Sequence, residues 1–107
     1  TVMGRRLRYP KGVGSHKAAG HLYQANAAEC HKSALIRIHN LLKGTNSKLL
    51  ISVHDEIGVS LDPSDRGLVD EIKRIYCDFH SDDAPFKLRV PIECSADLGP
   101  NWYIASK

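Results

Sequence analysis

His54, Asp55 and Glu56 stand side by side between two apolar runs, residues 49–53 and 57–61. An imidazole and two carboxylates at one point supply hard oxygen donors and a titratable nitrogen. Such groups hold divalent cations or move protons. Val, Ile and Leu on either side of a short polar break is the pattern of a β-hairpin. The tip lacks the Asn-Gly or Asp-Gly that tight hairpin turns favour. A turn that gives its tip to ionisable groups instead points to a site.

Other elements must position that tip. From residue 16 to residue 43 the pattern is helical, with Tyr23, Ala27, Cys30, Ala34, Ile38 and Leu41 recurring at intervals of three and four. Ser15 is placed to cap this helix and Gly44 to end it. The hairpin is expected over residues 48–61. Asp62-Pro63 then opens a second helix, expected over 63–80, with an N-cap residue followed by Pro at the first helical position. Leu68, Val69, Ile72, Ile75, Tyr76 and Phe79 form its core-facing stripe, and Asp65, Arg66, Asp70, Glu71, Lys73 and Arg74 its outer face. Residues 81–85, including Asp82 and Asp83, read as a solvated turn rather than a metal site. Residues 86–94 alternate apolar and polar, which predicts a half-buried strand with Pro91 at an edge position. Residues 95–107 form the C-terminal tail and residues 1–15 a Gly- and Arg-rich arm.

The 107-residue chain is one domain or part of one, with 42% hydrophobic and 25% charged residues, ordinary for a globular protein. No apolar run approaches the ~18 residues of a membrane span. No signal peptide is visible, so an intracellular, non-secreted protein with no membrane partner is expected. Cys30, Cys77 and Cys94 have no CxxC spacing, which argues against a disulfide framework or a zinc site and for buried free thiols. The net charge of +3 is unevenly spread: residues 1–28 hold Arg5, Arg6, Arg8, Lys11 and Lys17 and no carboxylate. A basic arm ahead of a near-neutral body points to a polyanion.

Val53-His54-Asp55-Glu56 between apolar strands resembles motif C of the family A (polymerase I type) DNA polymerases. The rest of the chain follows the same order. Gly4-Arg5-Arg6 resembles the segment leading from fingers to palm, and Ser15-His16-Lys17-Ala18-Ala19 through Leu22-Tyr23-Gln24 resembles the helix that enters the palm. Gly99-Pro100-Asn101-Trp102 resembles the C-terminus of phage-type members, with Trp102 as a packing anchor.

The resemblance implies a partial polymerase palm of α+β class: a small antiparallel sheet built on the hairpin, with two helices packed on one face. It implies that Asp55 ligates a catalytic Mg²⁺, that Glu56 is a weaker neighbour, and that His54 approaches the primer terminus. Arg5, Arg6 and Arg8 are implied to meet phosphates of a DNA primer–template, and His16 and Gln24 the duplex. One departure stands out: where the family carries an asparagine on that helix face, this chain has Gly20.

The family's second metal-binding aspartate and its fingers residues have no counterpart among these residues. The chain alone is therefore expected to bind Mg²⁺ weakly and not to polymerise DNA. The expected function is that of a fragment, or a split or degenerate part, of a DNA-directed DNA polymerase acting at sites of replication. A second polypeptide carrying the remainder is one arrangement this allows. Two alternatives stay open: a non-catalytic nucleic-acid-binding module on the palm scaffold, and an unrelated metal-dependent hydrolase using the tip residues.

Overall fold

The computed structural model describes residues 1–82 and 84–105. Asp83 of the expected solvated turn and the last two residues of the tail lie outside them. Helix α1 runs Ser15–Leu42, about 42 Å at 1.5 Å per residue, and sets the long dimension of a molecule measuring 54 × 34 × 22 Å. Gly14 rather than Ser15 takes the N-cap position, without a side-chain cap. Lys43 is the C-cap and Gly44 follows with φ +80, the left-handed residue that ends the helix.

The apolar stripe of α1 is real only in its C-terminal half. Ala34 and Ile38 are buried there, Leu41 is half-buried and its neighbour Leu42 takes the buried place, whereas Tyr23 is 73% exposed and Ala27 is also exposed. Midway along α1 the buried side chain is a carboxylate, Glu29, because the arm lies against the helix there. Thr1 donates its hydroxyl to Glu29 Oε1 at 2.7 Å, Met3 donates its N–H to Oε2 at 3.2 Å, and Arg5 Nε lies 3.3 Å from Oε1. Val2 N–H reaches Asn26 Oδ1 at 2.9 Å. The Thr1 hydroxyl above all holds the Glu29 carboxyl below the usual carboxylate range.

Strands β1 (Lys48–Val53) and β2 (Glu56–Ser60) pair antiparallel, from Lys48 opposite Ser60 to Val53 opposite Glu56. The register shifts between Leu49 and Ile51, leaving Leu50 as the extra residue of a bulge, 70% exposed. Ser47 anchors the base of the hairpin: its buried hydroxyl donates to Asp65 Oδ2 at 2.8 Å and accepts Asp62 N–H at 3.0 Å.

Gly58 sits where Ile51 crosses close above it. A Cβ at position 58 lies 2.6 Å from Ile51 Cγ2. Ile51 is β-branched and holds few rotamers, so it cannot yield freely. Gly58→Ala is therefore expected to lower stability by about 1 kcal/mol, the scale of an off-rotamer side chain. Urea denaturation checks this, and a stability unchanged from the parent chain contradicts it.

The second helix is shorter than expected. Pro63–Asp65 forms one 3₁₀ turn, capped by Asp62, whose carboxylate accepts Ser64 N–H at 2.9 Å. Helix α2 proper is Leu68–Cys77. It packs on α1, and α1 also touches β1.

Residues 86–94 form no strand, and among the described residues the sheet has only β1 and β2. They turn instead to the residues just past α2: Leu88 N–H donates to Phe79 O at 2.8 Å, and Phe86 stacks on Phe79 at 5.1 Å. Packing against the end of α2 prevails over the alternating pattern, and Pro91 has no N–H to offer a ladder. A short helix α3, Trp102–Ala105, closes the described chain. The class is α+β, as the sequence predicts. No helix among the described residues is long and apolar enough to cross a membrane.

Candidate functional site at the hairpin tip

The turn between β1 and β2 consists of His54 and Asp55. His54 has φ +53, in the left-handed region where hairpins usually place glycine. A non-glycine residue there persists only when neighbours hold it.

The holding group is Tyr76 on α2, whose hydroxyl donates to the backbone oxygen of Asp55 at 2.7 Å. Burial, with a further contribution from the Asp55 charge, raises the Tyr76 phenol above its usual range, so at neutral pH it remains a donor. The same hydroxyl lies 2.9 Å from His31 Nδ1 on α1, and His31 Nε2 lies 2.6 Å from Ser52 Oγ on β1. Tyr76 has one proton, and Asp55 receives it. His31 Nδ1 must then donate to the phenolic oxygen, and in the neutral ring Nε2 accepts from Ser52. One directed chain of hydrogen bonds thus ties α1, α2 and β1 to the backbone of the tip.

The side chains of the tip are left outward. His54, Asp55 and Glu56 are all exposed. Among the described residues the Asp55 carboxylate makes no hydrogen bond or ion pair. Glu56 is engaged differently: its Oε1 accepts the indole N–H of Trp102 at 3.2 Å. Trp102, expected as a packing anchor, is 52% exposed, and a hydrogen bond to Glu56 ties it to β2. An unpaired carboxylate on a tethered turn is suited to one position on a hard divalent cation such as Mg²⁺. It is not a whole site: no group of three or more His, Cys, Asp or Glu among the described residues is arranged to hold a metal.

The expected DNA-contacting residues lie on the arm and the first half of α1. Arg5, Arg6, Arg8, Ala18 and Leu22 line a shallow groove between the two. Tyr9 braces it, stacking on His21 at 5.6 Å and donating its hydroxyl to Ala18 O at 3.3 Å. Arg5 pairs with Glu29, which turns part of its charge inward, whereas Arg6 and Arg8 are exposed and make no ion pair among the described residues. His16 folds back over Gly14, and Gln24 is exposed. Gln24 and His31 are seven residues apart on one helix, so they share a face about 10 Å apart along its axis. The face of α1 that carries Gln24 is therefore the face that supports the tip.

Sequence reasoning singled out the tip and the arm, but not the contacts that His31, Ser52, Tyr76 and Glu29 make to them. The signal for His31 was its spacing from Gln24. For the others there was none, since their roles come from tertiary contacts.

A family model described as DNA polymerase family A matches residues 3–104 of the chain. Two phage proteins called DNA polymerase DpoZ are similar. That of Vibrio phage phiVC8 is 34% identical over 103 residues, covering 95% of this chain and 15% of the relative. That of Acinetobacter phage SH-Ab 15497 is 32% identical over 110 residues, covering 100% and 17%. DNA polymerase I of Caldicellulosiruptor bescii is 28% identical over 95 residues, 87% of this chain and 11% of that protein. The chain thus spans less than a fifth of the length of these relatives. No solved structure matches.

Proposed function

The chain belongs to DNA polymerase family A, and we propose that it supplies the motif C hairpin and part of the primer–template surface of that family's palm. The observation that carries the reading is the tip itself. The backbone of Asp55 is fastened by Tyr76 while its carboxylate is exposed and unpaired. An ordinary surface turn also exposes its carboxylates; what sets this one apart is a backbone fixed at Asp55 and left-handed at His54, which gives the carboxylate a set direction.

In this reading Asp55 holds Mg²⁺ through one carboxylate, and Glu56, fixed by Trp102, lies beside it. The bound cation supplies electrostatic stabilisation of phosphoryl oxygens during nucleotidyl transfer. The chain's own residues do the placing. Arg6 and Arg8 meet backbone phosphates, which positions the duplex without reading its sequence. Gln24, on the tip-supporting face of α1, touches the duplex between the arm and the hairpin. The remaining cation ligands and the contacts to the incoming nucleotide are supplied by polymerase residues other than these 107, on the same polypeptide or a second one. Replication of DNA is the process this serves.

The test is an NMR titration of the chain with Mn²⁺, with and without a primer–template duplex, beside Asp55→Ala. Paramagnetic broadening centred on His54 to Glu56, deepened by the duplex and lost in the variant, is expected. Shifts caused by DNA in the arm and around Gln24, with a hairpin unmoved by Mn²⁺, refute the metal role and leave a non-catalytic nucleic-acid-binding module.

A further inference from the structure

Helix α2 ends at Cys77, and the segment that packs along it brings Cys94 back to the same place. The two sulfurs lie 2.9 Å apart, and Cys94 Sγ is also 3.7 Å from the backbone oxygen of Lys73. Neither thiol is deeply buried. Both border a shallow surface groove with Asp70, Lys73, Arg74 and Glu93, so a small solute can reach them. Cys30, the third cysteine, has no sulfur neighbour among the described residues.

We propose that Cys77 and Cys94 are an oxidation site, a dithiol that a hydroperoxide converts to an intrachain disulfide. Closing the pair needs the sulfurs to approach from 2.9 Å to ~2.05 Å as the Cys77 thiol proton between them leaves. The roles of the two sulfurs differ. Cys77 donates its S–H to Cys94. Burial and then the neighbouring Cys94 push the Cys77 thiol up to about 12, so Cys77 is the member that keeps its proton.

Cys94, the other member of the pair, gives its proton to solvent, and its sulfur attacks the terminal oxygen of the peroxide. The O–O bond breaks, the alkoxide leaves and takes a proton to become the alcohol, and Cys94 becomes a sulfenic acid. The Cys77 sulfur next attacks the Cys94 sulfur, the S–O bond breaks, and hydroxide departs with the Cys77 proton as water. The two thiols lose two electrons, and the hydroperoxide gains them.

The bond joins two supports of the hairpin tip. Tyr76, which holds the Asp55 backbone, immediately precedes Cys77, and Trp102, which holds Glu56, lies on the segment that follows Cys94. Oxidation thus locks the frame around the tip. The chemistry of the pair is independent of the polymerase reading.

The experiment is treatment of the folded chain with hydrogen peroxide, followed by alkylation of remaining thiols and non-reducing peptide mapping by mass spectrometry. A linked peptide containing Cys77 and Cys94 is expected, two hydrogens lighter and restored by dithiothreitol, while Cys30 stays alkylatable. In Cys77→Ser, Cys94 is expected to accumulate as a sulfenic acid trapped by dimedone. The oxidised chain is expected to melt higher, by on the order of 10 °C, because the cross-link closes a loop of the unfolded chain. Met3, 56% exposed, serves as a gauge of peroxide dose. Products that include Cys30, intermolecular dimers, or alkylatable Cys77 and Cys94 after Met3 has been oxidised overturn the proposal.

Discussion

Phe79→Ala is expected to destabilise the chain by about 3–5 kcal/mol, the range for removing a fully buried aromatic ring. Phe79 is 1% exposed and lies two residues beyond the end of α2. Phe86 stacks on its ring at 5.1 Å, and the Arg37 guanidinium carbon sits 5.0 Å from the ring centre. Its backbone is pinned as well. Its carbonyl accepts Leu88 N–H, and the preceding Asp78 accepts the N–H groups of His80 and Ser81. The Ser81 hydroxyl, with these N–H groups, holds the Asp78 carboxyl at about 2. A site fixed on both sides cannot collapse into the void, which is why the upper part of the range applies. Few other side chains are buried with it, since Ala34, Ile38 and Leu42 are the other buried apolar groups among the described residues. Since domains of this size are stable by only about 5–15 kcal/mol, the loss takes a large share. Urea unfolding measures it, with Val90→Ala as control, since Val90 is 63% exposed and expected to matter by under about 0.5 kcal/mol. Equal effects of the two substitutions contradict the assignment of Phe79 to the core.

The α2 stripe shows which part of such a core is legible in sequence. Leu68, Val69, Ile72, Ile75, Tyr76 and Phe79 are all half-buried or buried, because one helix with one partner obeys its own periodicity. The α1 stripe fails at Tyr23 and Ala27 because that helix changes partners along its length. Its C-terminal half meets α2, and the polar arm meets it from the middle toward its N-terminus, burying Glu29. No local pattern announces a buried carboxylate whose donors lie 24 to 28 residues upstream. The segment 86–94 fails for a related reason. Alternation says that one face is covered, not by what, and here the cover is the end of α2 rather than a strand.

The site divides in the same way. Its charged tip stood out in sequence because ionisable residues replaced turn residues between two β-prone runs; the fold narrows the expected three-residue tip to a two-residue turn, with His54 at positive φ and Glu56 already in β2. The groups that hold the tip were not readable. Tyr76 counts as one more apolar body in the α2 stripe, and only its hydroxyl, reaching 2.7 Å to the Asp55 backbone, distinguishes it from a core phenylalanine. His31 looks like a polar residue on a helix flank until Ser52 and Tyr76 are seen on its two nitrogens.

That distinction can be measured. Tyr76→Phe keeps the ring and deletes the hydroxyl, leaving the Asp55 carbonyl without its donor and His31 Nδ1–H without its acceptor. A cost of about 1–2 kcal/mol is expected, moderated because the bond to Asp55 is solvent-exposed. His31→Ala removes both ring hydrogen bonds and the edge contact with Tyr76 at 5.9 Å, and is expected to cost about 2–3 kcal/mol. If one directed chain holds the tip, the double variant costs less than the sum, with a coupling of about 1 kcal/mol in the cycle. Amide exchange at residues 53–57 gives the local readout. It is expected to accelerate in both single variants by more than their global stability loss explains, because the left-handed His54 relaxes once Asp55 is released. Additive costs, or exchange at the tip that merely follows global unfolding, mean the three side chains stabilise the fold without positioning the tip. In that case the outward aim of the Asp55 carboxylate must come from the β1–β2 ladder alone.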